Sequence, residues 1–352
     1  MLQQKQSTRL LYSTSFFFIL NLNGPCLVWM ADVSEEPAAR RRAWVTLLTN
    51  ESYAKGVMVL HRALVAVGSQ FPLLVMVTDG VPQAVKASLE SEGCELVRVK
   101  PLQLPRGRGG PPQYECAHFA ECWLKLRMWE WELEFEQLVY LDADMLPLQN
   151  MDELLKELLC QQPALAAVPE CSCAIPRCGM CPYRLPPPAV EPDAAVEYVR
   201  GGADTEAAAS GRASYFNAGL LVLVPSLALV RLMHAELARC DLSTFRFAEQ
   251  DFLNHFFCGG WRALPWVYNA TKALYACHRE TIWDYSQVKN VHYTMAKPWE
   301  LGHQCNRGYE KLNSLWLTAF STPDGLCRQL FKLHLEDKRR RRTLQTAPQD
   351  SR

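Results

Sequence analysis

The sequence lacks an excess of either charge, and it lacks a long uninterrupted apolar run. Its 352 residues include 37 Lys plus Arg and 37 Asp plus Glu, so the formal net charge is zero. Because a nucleic-acid-binding domain needs a basic surface to hold phosphates, no nucleic-acid partner is expected. With 49% hydrophobic, 21% charged and 10% aromatic residues, the composition excludes a disordered chain and favours a large folded core.

The most apolar segment lies near the amino terminus, over residues 10–30. Four residues that are costly in hydrocarbon interrupt it: Asn21, Asn23, Gly24 and Pro25. It therefore falls short of the roughly 20 clean apolar residues that a spanning helix needs, and no convincing cleavage site follows it. We expect no stable membrane span, a cytoplasmic protein and an unstructured leader over residues 1–42. Whether residues 1–29 are translated, cleaved or a targeting leader stays open.

Strand-like and helix-like segments alternate from residue 43 onward. Short apolar runs at 43–49, 73–77 and 95–99 are separated by stretches with helical spacing at 53–67 and 82–90. This alternation predicts a parallel sheet covered by helices on both faces. The same signals predict helices at 117–135, 151–160, 226–238 and 249–257, and strands at 137–141, 164–168, 220–224 and 288–293.

Two segments depart from this periodicity. Residues 170–213 are rich in Cys, Pro, Gly and Ala, which predicts an insertion within one domain spanning residues 43–320. Residues 321–352 form a tail with the basic run Lys338–Arg342, and its end is predicted to be largely disordered.

Most of the 14 cysteines are isolated within apolar runs and are predicted to be buried thiols. Four others cluster in the insertion: Cys171, Cys173, Cys178 and Cys181. Four thiolates suit tetrahedral zinc, although this spacing is not a standard zinc pattern. A structural Zn²⁺, free thiols and local disulfides all stay open.

An acidic pair follows one of the predicted strands. Asp142 and Asp144 come directly after residues 137–141, with the small Ala143 between them. Ligands of open α/β sheets bind beyond the carboxyl ends of strands, and two carboxylates suit Mn²⁺ or Mg²⁺, which can neutralise a departing diphosphate. Taken alone, the pair is more simply an acidic turn without a ligand, and an aspartyl phosphatase uses the same spacing.

Further motifs change this interpretation. They are the blocks Trp44–Gly56, Leu141–Asp144, Tyr215–Gly219, Phe247–Asn254 and Val291–Tyr293 with Lys297–Trp299. In this order and spacing they resemble glycosyltransferase family 8, the group that holds glycogenin and galactinol synthase. The block around Glu249 and the cysteine pairs are more similar to galactinol synthases, because glycogenin has an aspartate in place of Glu249.

The resemblance implies a GT-A fold, in which a Rossmann-like mixed sheet flanked by helices binds a UDP-sugar. It implies that Asp142, Asp144 and His292 hold Mn²⁺, with Mg²⁺ as an alternative. The donor-binding residues carried over from the family are Leu48, Thr49, Asn50, Tyr53, Lys125, Ala143, Asn217 and Lys297. Among these, the ring of Tyr53 would face uracil and Lys297 would face the diphosphate.

The resemblance also implies that the anomeric configuration is retained. A covalent route would need a carboxylate beneath the anomeric carbon, for which Glu249 and Asp251 are the candidates. We favour a same-face route instead, in which a UDP oxygen helps to deprotonate the acceptor, Gln250 orients the sugar and Lys125 supplies positive charge. The segment from His292 to Lys297 lacks the glycine that glycogenin has there, which puts a backbone contact to phosphate in question.

The sequence thus predicts a hexosyltransferase that moves galactose or glucose from a UDP-sugar to a small polyol or sugar acceptor, myo-inositol being the first to test. One alternative is a glycogenin-like self-glucosylating primer, for which Tyr275 is one residue out of register. Another is a zinc-stabilised scaffold without activity. A homodimer is also left open.

Overall fold

A mixed seven-stranded sheet forms the centre of the fold. The computed structural model describes residues 40–105, 113–157, 164–171, 173, 181, 183, 215–322 and 325–346. The strands of the sheet are β1 (Arg41–Leu48), β2 (Leu73–Val77), β3 (Glu95–Arg98), β4 (Phe135–Leu141), β6 (Leu165–Pro169), β7 (Phe216–Leu223) and β8 (Arg262–Ala263). Their order across the sheet is β3-β2-β1-β4-β7-β6-β8.

The pairing directions divide this sheet. Strands β3, β2, β1 and β4 are all parallel, whereas β7 runs antiparallel to both β4 and β6. The parallel pairing expected from the alternation is confirmed for β1, β2 and β3, and the mixed sheet implied by the family resemblance is confirmed for the whole sheet. Parallel neighbours need a crossover, which helices supply between β1 and β3. The chain between β6 and β7 is the Cys-rich insertion, most of which lies outside the described residues.

The helices are α1 (Ala54–Ala66), α2 (Gln83–Ser91), α3 (Phe119–Cys122), α4 (Glu153–Lys156), α5 (Leu227–Leu237), α6 (Glu249–Phe256), α7 (Lys272–His278), α8 (Glu310–Ser321) and α9 (Leu326–Thr346). None of the helices in the described ranges is long and apolar enough to cross a membrane. A smaller sheet, in the order β5-β10-β9, joins β5 (Met145–Pro147), β9 (Ala270–Thr271) and β10 (Asn290–His292). Its strand β5 follows the end of β4 in the chain, after the turn at residues 142–144.

Two apolar cores lie against the large sheet. Alternate side chains of β1 enter different cores, because successive residues of a strand point to opposite faces. Trp44 lies in one core together with Leu60 of α1, and Val45 lies in the other together with Phe252 of α6. The expectation of helices on both faces is thus confirmed.

The predicted helix at 117–135 is wrong in extent and type. Helix α3 is a single turn, residues Trp123–Glu130 form a 3₁₀-helix, and β4 already begins at Phe135. Six of the eight residues of the 3₁₀-helix are buried, so tertiary contacts rather than one amphipathic face determine its path. The predicted helix at 151–160 is observed only over α4, and residues 158–163 lie outside the described part of the chain.

The two predicted terminal segments also need correction where the structure describes them. Arg41 and Arg42, assigned to the leader, begin β1 and pair with Glu95 and Glu136. The tail forms helix α9, whose Leu326 and Leu333 join the core, so the helix includes the basic run and extends to Thr346. Their spacing of seven residues places both side chains on one helical face. The other predictions for residues 1–39 and 347–352 lie outside the described chain.

Candidate active site

Asp142 and Asp144 lie in a tight turn between β4 and β5. The backbone N–H of Asp142 donates to the carbonyl of Gly219 at 2.8 Å, and the N–H of Met145 donates to the carbonyl of Asp142 at 3.1 Å. The turn packs closely on α1, since a Cβ at Gly56 would lie 2.2 Å from the carbonyl oxygen of Ala143. A glycine in this helix therefore allows the acidic turn to sit directly on it.

His292 reaches the acidic pair from the end of β10. Its Nε2 lies 3.3 Å from an oxygen of Asp144 and 3.7 Å from an oxygen of Asp142. The three ligand atoms lie within 4.8 Å of one another, as the family resemblance predicts. Gly219 makes room for the ring, because a Cβ there would lie 2.4 Å from the Cε1 atom of His292.

A chain of hydrogen bonds orients the imidazole. The N–H of Gly219 and the amide of Asn269 both donate to Oδ1 of Asn217, at 2.9 and 2.8 Å. The Oδ1 of Asn269 is thus left to accept from Nδ1 of His292 at 2.9 Å. In a neutral imidazole this places the lone pair on Nε2, facing two carboxylates. A divalent cation would fit between these donors, since carboxylates suit Mn²⁺ and Mg²⁺ and a neutral imidazole is a common ligand of transition metals.

Lys297 pairs with the buried Asp144. Its ammonium contacts an oxygen of Asp144 and donates to the carbonyl of Tyr293 at 3.2 Å. Burial acts to raise the pKa of Asp144, but the ammonium of Lys297 and, to a lesser extent, the neighbouring His292 outweigh it and hold this pKa far below its ordinary value. Burial likewise acts to lower the pKa of Lys297, yet Asp144 raises it above the ordinary value. Both groups are therefore charged at neutral pH.

Lys125 connects the acidic turn to α6. Its Nζ lies 3.0 Å from Asp142 and 2.9 Å from Glu249, and it donates to the carbonyl of Ala218 at 3.2 Å. Burial acts to lower the pKa of Lys125, but Asp142 and Glu249 raise it well above its ordinary value. A fixed positive charge thus lies beside the carboxylate cluster.

Gln250 and Asp251, the other predicted catalytic residues, accept hydrogen bonds from backbone N–H groups of nearby segments. Oε1 of Gln250 accepts from the N–H of Ala218 at 2.9 Å, and its amide donates to the hydroxyl of Tyr215 at 3.1 Å. Asp251 accepts from the Tyr215 hydroxyl with one oxygen and from the N–H of Phe247 with the other, at 2.8 Å. Their roles in catalysis stay predictions.

The predicted nucleotide-binding residues follow β1. The Oδ1 of Asn50 caps the turn before α1 by accepting from the N–H of Ser52 at 3.1 Å, and the Thr49 hydroxyl contacts Glu121. The ring of Tyr53 lies 5.8 Å from the ammonium of Lys297, which places it beside the carboxylate cluster. Leu48, the last residue of β1, is buried.

The insertion cysteines meet a residue that the sequence analysis did not consider. Cys171, Cys173 and Cys181 lie together with His278, the last residue of α7. Cys178, the fourth predicted ligand, lies outside the described residues. No local sequence signal connects His278 to a cysteine 97 residues earlier.

Sequence analysis also missed supporting residues around the cluster. Glu170 accepts from the amide of Asn217 at 2.5 Å, and Asn269 orients His292. Two residues near the cluster residues in sequence have a strained backbone: Ala248, which precedes Glu249, has φ 48°, and Met295 has φ 63°. Met295 lies in the segment where glycogenin's glycine is missing, so a residue with a side chain takes the left-handed conformation there.

A mixed sheet whose acidic turn meets a remote histidine and two buried lysines is the arrangement that the family resemblance implies for a glycosyltransferase. The model of the family described as "Glycosyl transferase family 8" matches residues 44–301 of the chain. This protein therefore belongs to glycosyl transferase family 8, and it is a glycosyltransferase.

The curated relatives include galactinol synthases from two plants. The chain is 32% identical over 284 residues to Galactinol synthase 6 of Arabidopsis thaliana, covering 76% of each chain. It is 32% identical over 290 residues to Galactinol synthase 1 of Ajuga reptans, covering 78% of this chain and 79% of the relative. The predicted likeness to galactinol synthases is thus confirmed.

Solved structures show the same fold at lower identity. A crystal structure of the galactosyltransferase LgtC with donor and acceptor sugar analogues matches with a TM-score of 0.53 and 19% identity, over 80% of this chain and 96% of that chain. The glycosyltransferase GlyE of Streptococcus pneumoniae TIGR4 matches with a TM-score of 0.51 and 16% identity, over 83% of this chain and 63% of its own. The predicted GT-A fold is confirmed.

Proposed function

We propose that this glycosyltransferase moves galactose from UDP-galactose to a small polyol, with myo-inositol as the first candidate, and retains the anomeric configuration. The observation that carries the proposal is the convergence of Asp142, Asp144 and His292 within 4.8 Å of one another. The relatives named galactinol synthases support the choice of donor sugar and acceptor.

The residues around the cluster suit the departure of a nucleoside diphosphate. A bound Mn²⁺ or Mg²⁺ would neutralise charge on the diphosphate. The ammonium of Lys297 contacts Asp144, so a small displacement would let it pair with a phosphate. Lys125 stays fixed between Asp142 and Glu249 and adds positive charge near the leaving group. The ring of Tyr53 offers a surface on which uracil can stack.

The contacts of the two acidic candidates favour same-face transfer over a covalent intermediate. Glu249 is buried and paired with Lys125, and both oxygens of Asp251 accept hydrogen bonds. Either group would have to break these contacts before it could attack an anomeric carbon. In the same-face route the acceptor hydroxyl gives its proton to an oxygen of the leaving UDP, and Gln250 helps to orient the sugar.

Donor and acceptor assays test the proposal. With UDP-galactose, myo-inositol and Mn²⁺, the enzyme should release UDP and form an α-linked galactosyl inositol, identified by mass spectrometry and proton NMR. UDP-glucose and other polyols serve as comparators, and a reaction without acceptor corrects for hydrolysis. Absence of turnover with any UDP-hexose and any divalent cation would refute it, and a β-linked product would refute retention.

The self-glucosylating alternative is not favoured by the surroundings of its tyrosine. Tyr275 is 2% exposed and packs against the rings of Trp283 and Tyr309. A hydroxyl that accepts sugar has to reach the donor, which this packing prevents. Intact mass after incubation with UDP-glucose should therefore stay unchanged, whereas a ladder of added hexoses would support a primer.

A further inference from the structure

A second group of metal-ligating side chains lies at the start of the insertion. Cys171 and Cys181 are buried, with 4% and 2% of their surfaces exposed, and Cys173 is half-buried. His278 reaches them from the end of α7. The four ligand atoms lie within 4.8 Å of one another, and none of these residues belongs to the carboxylate cluster.

Three of the six separations between ligand atoms are close to the edges of a zinc tetrahedron. With Zn–S bonds of about 2.3 Å and a Zn–N bond of about 2.05 Å, tetrahedral geometry gives S···S edges of about 3.8 Å and S···N edges of about 3.6 Å. The sulfurs of Cys171 and Cys181 are 3.8 Å apart. Nε2 of His278 lies 3.3 Å from the sulfur of Cys173 and 3.5 Å from that of Cys181.

We propose that Cys171, Cys173, Cys181 and His278 form a structural zinc site. Three thiolates and an imidazole are a complete ligand set for structural Zn²⁺ and disfavour Mg²⁺ or Ca²⁺, which need oxygen donors. A disulfide between Cys171 and Cys181 is a poorer account, because an S–S bond is about 2.05 Å long and the two sulfurs are 3.8 Å apart.

The site would connect the insertion to the carboxylate cluster. Cys171 follows Glu170, which accepts a hydrogen bond from Asn217 at 2.5 Å. Asn217 in turn accepts from Asn269, which holds Nδ1 of His292. Zinc would therefore fasten the end of β6 to α7 and keep Glu170 in place. The predicted role is positional, because the four ligands are separate from the three residues of the carboxylate cluster.

Metal content and its response to substitution test the site. Purified wild-type protein, dialysed against a weak chelator, should contain about one zinc per chain by plasma mass spectrometry. His278→Asn should lose this zinc. Cys258→Ser is a control, since it removes an exposed thiol that does not belong to the cluster, and it should keep the zinc. Asp142→Asn should also keep it, which separates this site from the carboxylate cluster.

A measurement on unaltered protein covers the case in which His278→Asn does not fold. Titration of the wild type with a mercurial thiol reagent should release the zinc to a coloured indicator, and replacement by Co²⁺ should give the visible bands of a tetrahedral thiolate complex. Zinc-free wild-type protein with two of these cysteines oxidised would overturn the proposal. Zinc that survives the mercurial, or that is lost in Asp142→Asn but kept in His278→Asn, would overturn it as well.

Discussion

The carboxylate cluster and the thiol cluster differ in donor atoms and in access to solvent. The first combines two carboxylates with His292, and the side chain of Asp142 is 26% exposed. The second combines three thiols with His278, and Cys171 and Cys181 are almost fully buried. Catalytic metal sites keep an open position, whereas structural zinc sites are closed by protein ligands. The difference indicates that the first cluster suits exchange of substrates and the second suits permanent binding.

The two clusters also differ in how they balance charge. Lys125 and Lys297 pair with the carboxylates, so the acidic turn is compensated by the protein itself. Thiols can instead remain neutral when no cation holds them. Removal of a divalent cation should therefore stop turnover while the carboxylate cluster stays folded, and removal of zinc should loosen the insertion.

The largest effect is expected when the carboxylate cluster loses Asp142, a predicted metal ligand that the fold does not need. In Asp142→Asn, Lys125 keeps Glu249 as a partner, so the protein should fold. Turnover should fall by about 1,000-fold, equivalent to about 4 kcal/mol in the barrier, because leaving-group charge is less well neutralised. UDP release at saturating Mn²⁺ measures this change.

The control for this variant is Asp79→Asn, which removes an exposed carboxylate paired with Arg98 on the surface. It should leave turnover unchanged. Turnover of Asp142→Asn within a few-fold of wild type would remove the carboxylate cluster from the mechanism. Loss of zinc in this variant would mean that the two clusters are not independent.

The second-largest effect concerns the contribution of the carboxylate cluster to the stability of the protein. Asp144→Asn leaves the ammonium of Lys297 buried without its carboxylate, which should lower the free energy of unfolding by about 3 kcal/mol. Adding Lys297→Met removes the unpaired charge and should recover most of that loss. Urea denaturation of the single and double variants measures the coupling. A loss no larger than that of Asp79→Asn, expected below about 1 kcal/mol, would show that the pair is not desolvated.

Much of the architecture was predictable because its signals are local. The run at 73–77 is observed with the same bounds as β2, and the acidic turn follows β4 as expected. The meeting of His292 with the acidic pair followed from family motifs rather than from spacing. Contacts across the fold had no such signal: Asn269, which orients His292, and His278, which joins the thiols, have meaning only once the chain is folded.

The 3₁₀-helix at Trp123–Glu130 illustrates the same limit. Its residues resemble a helix in sequence, yet most of them are buried and Lys125 has to reach two carboxylates. Local propensity is a weak determinant compared with such tertiary contacts. The family resemblance therefore pointed to Lys125 as a candidate site residue, but the sequence did not predict the backbone that carries it.

A smaller effect is expected at the glycine that makes room for His292. Gly219→Ala would place a methyl group 2.4 Å from the ring, so the imidazole has to move. The affinity for Mn²⁺ should fall by about 10- to 100-fold, as when the support of a metal ligand is lost. Gly260→Ala is the matched control, because its nearest neighbour, the carbonyl oxygen of Phe257, is 3.6 Å away. The half-saturating Mn²⁺ concentration measures the effect, and zinc content should not change; equal Mn²⁺ dependence of the two variants would argue against a metal role for His292.

The smallest effect, a change in the free energy of unfolding, is expected for substitutions in the loop that joins His292 to Lys297. Met295 is 66% exposed and has φ 63°, a conformation that disfavours any side chain with a Cβ. Met295→Gly and Met295→Ala lose the same exposed contacts, but only glycine removes the Cβ. The free energy of unfolding of Met295→Gly should therefore exceed that of Met295→Ala by about 0.5–1 kcal/mol, after subtraction of the entropic cost of glycine. Urea denaturation measures this difference. Equal stability of the two variants would show that this loop stores no strain. Both variants should keep the zinc of the thiol cluster, because Met295 is not one of its ligands.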